Sequence, residues 1–315
     1  MNIAKPLKTI KSLVLLVSAS LIIVFTVEGQ KPSVAVCFAK HFVHVSQMSV
    51  SSSGKTEFQR CTTPSPEQCD LSYALANGNY DGIKCLINAG YDFNVASGTY
   101  IGRNIPVTQA ALYDPRMLEL LFTSKTALDI DVTDTAGATP LYSVTTLLSS
   151  PFIHRPKGFS WEKVFKSAEV LLSKGAQPDP ARNGMTPLIF QTELGRAKFL
   201  DLLLRYKASP NFQTPEGKTA LMLAKDDPEI IGLLLTNGAN IYLRDKAGKT
   251  AIFYAIEGCQ VNKVLKLLSV DSGLLSSVDA RGRSAVSHFR ATDSSTDCRK
   301  LAEVMPGTFP NRRQR

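Results

Sequence analysis

Imidazole and indole are scarce in this chain of 315 residues, which holds four histidines (His41, His44, His154, His288) and one tryptophan, Trp161. Chemistry that leans on histidine therefore has little to draw on. Cys37, His41 and His44 are the one grouping worth testing as metal ligands. Three-residue spacing on a strand sends His41 and His44 to opposite faces, which argues against shared coordination. No glycine-rich loop has the spacing that cradles phosphate, and no Gly-x-Ser-x-Gly elbow occurs. The carboxylates are scattered, and the tight acidic pair Asp226-Asp227 precedes Pro228 as a polar loop would. These absences predict no enzyme, no metal and no cofactor. Asn-x-Ser/Thr acceptor sites are also missing, which gives little encouragement to a secreted eukaryotic glycoprotein.

Acidic residues are the minority too, 27 against 36 Lys and Arg, for a formal charge of +9. The surface is expected to prefer acidic partners, but the excess is too modest to indicate nucleic acid. A hydrophobic content of 44 % is enough to build a core or a stacked array, so disorder is not expected.

The first thirty residues differ from the rest. Lys5, Lys8 and Lys11 precede an apolar run from Ser12 to Val27, and no acid appears before Glu28. A spanning helix needs roughly 20 apolar residues. This shorter run, interrupted by Ser18, Ser20 and Thr26, suits a secretory signal peptide over residues 1–29, with the mature chain starting near Gln30. An uncleaved inner-membrane anchor over residues 12–27 is the alternative, and only that reading involves a membrane. Loss of three lysines and one glutamate with the leader brings +9 to +7, so the basic bias survives. Part of it sits in a basic tail, residues 305–315, which ends Arg312-Arg313-Gln314-Arg315.

Six cysteines follow the leader: Cys37, Cys61, Cys69, Cys85, Cys259 and Cys298. In an oxidising compartment an even count suggests disulfides, and sequence alone does not choose the pairing. Their grouping toward the two ends suggests staples there, while Cys85 and Cys298 could equally be buried apolar side chains.

Beyond residue 70 the chain repeats. Gly137-Ala138-Thr139-Pro140-Leu141, Gly184-Met185-Thr186-Pro187-Leu188, Gly217-Lys218-Thr219-Ala220-Leu221, Gly248-Lys249-Thr250-Ala251-Ile252 and Gly282-Arg283-Ser284-Ala285-Val286 align. The intervals Thr186 to Thr219, Thr250 and Ser284 are 33, 31 and 34 residues. A second signature recurs in phase, an apolar helix followed by Gly-Ala-x-x-Asx, as in Gly238-Ala239-Asn240 and Gly175-Ala176-Gln177-Pro178-Asp179, with a weaker copy at Lys207-Ala208-Ser209-Pro210-Asn211. Thr at the start accepts a main-chain N–H and Pro after it loses no bond. Gly at the end takes the left-handed conformation that stops a helix. Leu, Ile and Val between them fall at helical spacing on faces that only a neighbouring repeat can cover.

With this period and these residues the chain resembles the ankyrin-repeat family over residues 70–304. The resemblance implies an all-α solenoid of about seven helix-turn-helix units. The unit from Ile105 to Asp131 lacks the Thr-Pro-Leu start, and the third carries an insertion from Ser149 to Ser160. Residues 30–69 fall outside the repeat. Phe42 to Val50 partly alternate and Thr56 to Arg60 could return, so a short β-hairpin or irregular cap with a linker is expected there.

Ankyrin arrays use finger tips and the exposed side of first helices to bind partners. Carried onto this sequence, that places partner-binding residues at Arg182, Met185, Lys218, Lys246, Lys249, Arg281 and Arg283, tempered by Asp226, Asp245, Glu257 and Asp279. The insertion offers a second contact loop at Ile153, His154, Arg155 and Lys157, with Trp161 expected to pack the loop onto the array. The expected partner is another exported protein, acidic at the contact. The resemblance admits an immunity-type inhibitor of a secreted toxin or lipase in the periplasm, a scaffold or protector of a periplasmic enzyme, or adhesion to the envelope through the basic face.

Overall fold

The structure, a computed structural model, describes residues 10–17, 20–27, 37, 71, 74, 75, 78–94, 105–124, 127–134, 136–146, 160–289 and 296–304. The chain divides into two compact units, Met1–Ala176 and Gln177–Arg315.

The first unit opens with two antiparallel strands, β1 (Ile10–Val17) and β2 (Ser20–Val27), in a register that pairs Ile10 with Val27 and Val17 with Ser20. Val14, Val17, Ile22, Ile23, Val24 and Val27 supply the β-branched residues that favour strands. The hairpin expected over residues 42–60 lies outside the described residues; the strand pair that is seen falls within residues 1–29, where a signal peptide is expected. Among the described residues no helix is long and apolar enough to cross a membrane.

Helices with bounds among the described residues of this unit are α1 (Tyr80–Ala89), α2 (Pro106–Tyr113), α3 (Pro115–Leu121), α4 (Pro140–Thr146) and α5 (Trp161–Ser173). The unit between Ile105 and Asp131 is a genuine helix pair despite its missing threonine. Ile105 provides no side-chain cap, whereas Thr139 accepts a hydrogen bond from Tyr142 N at 3.2 Å in the next pair. Packing makes up the difference, since Val107, Met117, Leu118 and Leu121 are fully buried. Trp161 opens α5 and is half-buried. A disulfide joins Cys37 to Cys85 on α1, their Cα atoms 5.6 Å apart. A cystine sulfur offers no thiolate, so Cys37 is no metal ligand.

The second unit holds α6 (Pro187–Leu194), α7 (Ala197–Arg205), α8 (Ala220–Leu223), α9 (Pro228–Thr236), α10 (Ala251–Glu257) and α11 (Val261–Val270). Two 3₁₀ turns, Ser272–Ser276 and Ala285–His288, and α12 (Thr296–Val304) follow among the described residues. Leu188, Leu203, Leu221, Ile230, Leu234, Ile252, Ile256, Val264 and Leu267 form its core at zero exposure. Thr186, Thr219 and Ser284 cap their helices as expected, accepting from Ile189, Met222 and Ser287. Thr250 departs from the pattern: its hydroxyl is buried without a partner. A second disulfide ties Cys259, after α10, to Cys298 on α12, with Cα atoms 4.8 Å apart. No described cysteine is free, so Cys85 and Cys298 are bonded and not merely apolar filler, while Cys61 and Cys69 lie outside the described residues.

The 31-residue interval has a structural cost. Helix α8 spans four residues where α6 spans eight and α10 seven. Lys263 of α11 fills the gap. Its side chain is fully buried, and Nζ donates to Met222 O at 3.1 Å and Ala224 O at 2.7 Å, carbonyls left over by the shortened helix. Asp226 accepts from the Lys263 main-chain N at 2.8 Å.

Candidate protein-binding face

Each pair of helices in the second unit is preceded by a tight finger. Asp245 N donates to Lys249 O at 3.0 Å and Gly248 N to Asp245 O at 2.9 Å; Thr214 with Lys218 and Asp279 with Arg283 repeat the pattern. Asp245 and Asp279 lock their fingers further by accepting two main-chain N–H groups each. Neighbouring fingers are joined: Lys246 N donates to Glu216 O and Ala280 N to Ala247 O, both at 2.9 Å. The Gln213 side-chain amide donates to Arg244 O at 3.0 Å, and Arg244 in turn donates to Val278 O at 2.5 Å. Gly248 shows how close the fingers run, since a Cβ there would fall 2.5 Å from Ala280 N and its φ is +74°.

This framework sets the side chains. Lys218 and Lys249 carry their ammonium groups 5.5 and 6.0 Å from the centroid of the Tyr254 ring on α10. Tyr254 donates its hydroxyl to Asp245 Oδ2 at 2.5 Å, and burial, then that bond, push its phenol well above the ordinary range. Lys249 pairs with Glu257 at 2.6 Å. The same Glu257 oxygen lies 2.6 Å from His288 Nδ1, and His288 Nε2 lies 3.0 Å from Asp279 Oδ2. Arg283 closes the chain on Asp279 at 2.8 Å. Burial works against the Asp279 carboxylate, but the Arg283 and Arg281 main-chain N–H groups, the Arg283 guanidinium and His288 hold it far below the usual carboxylate range. His288 is packed edge-on to Phe253, ring centroids 5.1 Å apart.

The seven residues expected at the face thus fall into three sets. Lys249 and Arg283 are engaged by carboxylates. Lys218, Lys246 and Arg281 have no carboxylate within ion-pair distance among the described residues, although Glu216, held low by a hydrogen bond from the Thr214 hydroxyl, lies near Lys218 and Lys246. Arg182 and Met185, both half-buried, close the first finger through paired main-chain bonds. The network of Tyr254, Glu257 and His288 escaped sequence reading as a unit, because it joins Glu257 to His288, 31 residues further on. The contact loop Ile153, His154, Arg155 and Lys157 lies outside the described residues.

A family model described as ankyrin repeats (3 copies) matches residues 162–245 and, overlapping them, 192–281. Residues 162–281 of this chain are ankyrin repeats. The chain is similar to an ankyrin repeat-containing protein of Treponema pallidum (strain Nichols), 37 % identical over 92 residues, or 28 % of this chain. The chain spans 31 % of the length of that relative. Among solved structures, the crystal structure of the ankyrin repeat domain of Bcl-3, a member of the IkappaB protein family, matches with a TM-score of 0.56 and 17 % identity, over 74 % of this chain and 97 % of that one. That likeness speaks to the fold, an α-helical repeat solenoid as expected. The ankyrin fold is typically a non-enzymatic scaffold through which proteins bind one another.

Proposed function

We propose that this protein is exported and binds an acidic surface of another exported protein through the finger face of its second unit. The observation that carries the reading is the set Lys218, Lys246 and Arg281, basic side chains with no carboxylate within ion-pair distance among the described residues, presented on fingers fixed to one another by main-chain bonds. A rigid scaffold loses little entropy on binding, and cations that are not already neutralised keep their charge for a partner. Export is supported by the basic and then apolar character of residues 1–29 and by two cystines, which persist in oxidising compartments. In a bacterium that compartment is the periplasm, where steric occlusion of an incoming toxin or lipase is the immunity-type use of such a face.

Purified chain and a Lys218→Glu/Lys246→Glu/Arg281→Glu variant, matched in melting temperature, are used to capture partners from envelope extract, and the captured protein is then titrated pure. Retention by the native face and at least tenfold weaker binding by the variant supports the reading. Equal retention by both sinks the finger face, and binding to anionic vesicles that vanishes at moderate salt would make the chain an envelope adhesin instead.

A further inference from the structure

We propose that Asn183–Gly184, at the tip of the first finger of the second unit, is a site of spontaneous deamidation that converts a neutral turn into a negatively charged one. The reaction needs only water. The Gly184 main-chain nitrogen bonds to Asn183 Cγ, the Cγ–Nδ2 bond breaks, and ammonia leaves with the amide proton. Water then opens the resulting cyclic imide at either carbonyl, giving aspartate or the β-linked isoaspartate.

The fold selects this pair and leaves it unguarded. Arg182 N donates to Met185 O at 3.1 Å and Met185 N to Arg182 O at 3.0 Å, so only two residues turn the chain. Both adopt positive φ, +51° at Asn183 and +72° at Gly184. Asn is among the few side chains that tolerate that region. Gly184 is required twice over, because a Cβ there would lie 2.0 Å from Pro215 Cδ of the next finger. The absence of that Cβ is also what opens the Gly184 nitrogen to attack. Asn183 is exposed, and neither its carboxamide nor the Gly184 N–H makes a hydrogen bond.

An internal control lies fifty-odd residues on. Asn237–Gly238 has the same sequence, but Asn237 Nδ2 donates to Leu233 O at 2.8 Å and Gly238 N donates to Leu235 O at 3.1 Å. Both reacting groups are tied down, so that pair must first unravel the end of α9. Asn77 of the third Asn-Gly pair lies outside the described residues. Isoaspartate at residue 183 adds a main-chain carbon to a two-residue turn and sets a carboxylate beside Arg182. Its effect on binding rests on the proposed face; the chemistry does not.

The oxidised full chain is aged in mildly alkaline buffer and digested with trypsin. The peptide that begins at Asn183 and ends at Arg196 is then followed by mass for exchange of an amide for a carboxyl, with isoaspartate read by enzymatic methylation. Conversion on the order of tenfold faster at Asn183 than at Asn237 supports the proposal. Persistence of the Asn183 amide while urea-unfolded chain converts, or equal rates at the two asparagines in the folded chain, overturns it. Asn183→Gly keeps the left-handed turn and must abolish the product at unchanged melting temperature. Asn183→Asp, tested with the captured partner, isolates the charge: unchanged affinity would remove Arg182 and its finger from the binding face and leave the modification standing.

Discussion

The repeat built on α6 and the repeat built on α8 begin alike, each with a threonine that caps its helix, yet one first helix runs for eight residues and the other for four. Two residues removed from a repeat do not shift the stack out of register. They shorten one helix and leave carbonyls inside the core, and a lysine from the following repeat takes their hydrogen bonds. A repeat array thus tolerates a deletion when a neighbour can satisfy the polar groups it strands.

Removing that neighbour should have the largest effect. Lys263→Ala leaves two buried acceptors and a cavity, and a loss of about 4 kcal/mol is expected in urea unfolding, while Leu188→Ala, at a fully buried site in the longer repeat, should cost only its cavity, about 3 kcal/mol. Equal losses would mean that the lysine serves only as volume. The ammonium also carries a pH signature. Burial lowers the Lys263 pKa to about 7 despite the nearby Asp226 charge, against 10.5 in the unfolded chain. Between those values the unfolded state binds the extra proton, so stability rises with pH across that window, with a slope approaching ~1.4 kcal/mol per unit, and is lowest below it. Lys263→Met should flatten the rise.

Next in size is the Cys259–Cys298 cystine, whose loop of 39 residues is confined to the second unit. Replacing both cysteines with serine should cost about 3 kcal/mol and expose the α12 amides to hydrogen exchange ahead of those of α6 and α7. Uniform protection would show that α12 holds by packing alone.

A smaller contrast sits in the turns after the second helices. Asn211 accepts from Asn240 N at 2.7 Å through Oδ1 and donates to Gly238 O at 2.9 Å through Nδ2, and Asn94 does the same for Asp129 N and Ala127 O in the first unit. Asp179 occupies the matching place with a carboxylate. Oδ2 accepts from Ser209 N, but Oδ1 is buried without a partner, and burial raises the pKa against the pull of that one hydrogen bond. A raised carboxyl pKa contributes stability at acid pH and loses it as pH climbs through the folded value. Asp179→Asn should therefore gain about 1 kcal/mol at neutral pH and almost nothing below pH 4, read from paired thermal melts. Smallest is Lys207→Gly: Lys207 stands at φ +68° where other repeats place glycine, and about 0.7 kcal/mol of stabilisation is expected in the same melts.

Local rules made much of this legible. Capping threonines, stopping glycines and apolar spacing act within a few residues, and they locate the helix pairs from Ile105 to Val270. What they miss are pairings between repeats. Lys263 reads as a surface charge until the carbonyls 39 and 41 residues earlier are seen. The sequence names Glu257 and Asp279 among the acids that temper the basic face, but not that they pair with Lys249 and Arg283. The interval of 31 was visible in the sequence; that its cost falls on one helix and is met by another was not.

The rungs between fingers also bear on how the molecule takes load. Lys246 to Glu216 and Ala280 to Ala247 are single main-chain bonds set one after another, with Gln213 and Arg244 as straps across the same joints. Under tension along the array each joint carries the full force in series, so the second unit should lengthen in separate steps, one repeat per step, and recoil as the rungs close again. The stretch between Cys259 and Cys298 is covalently bridged and should contribute no length until that bond is reduced.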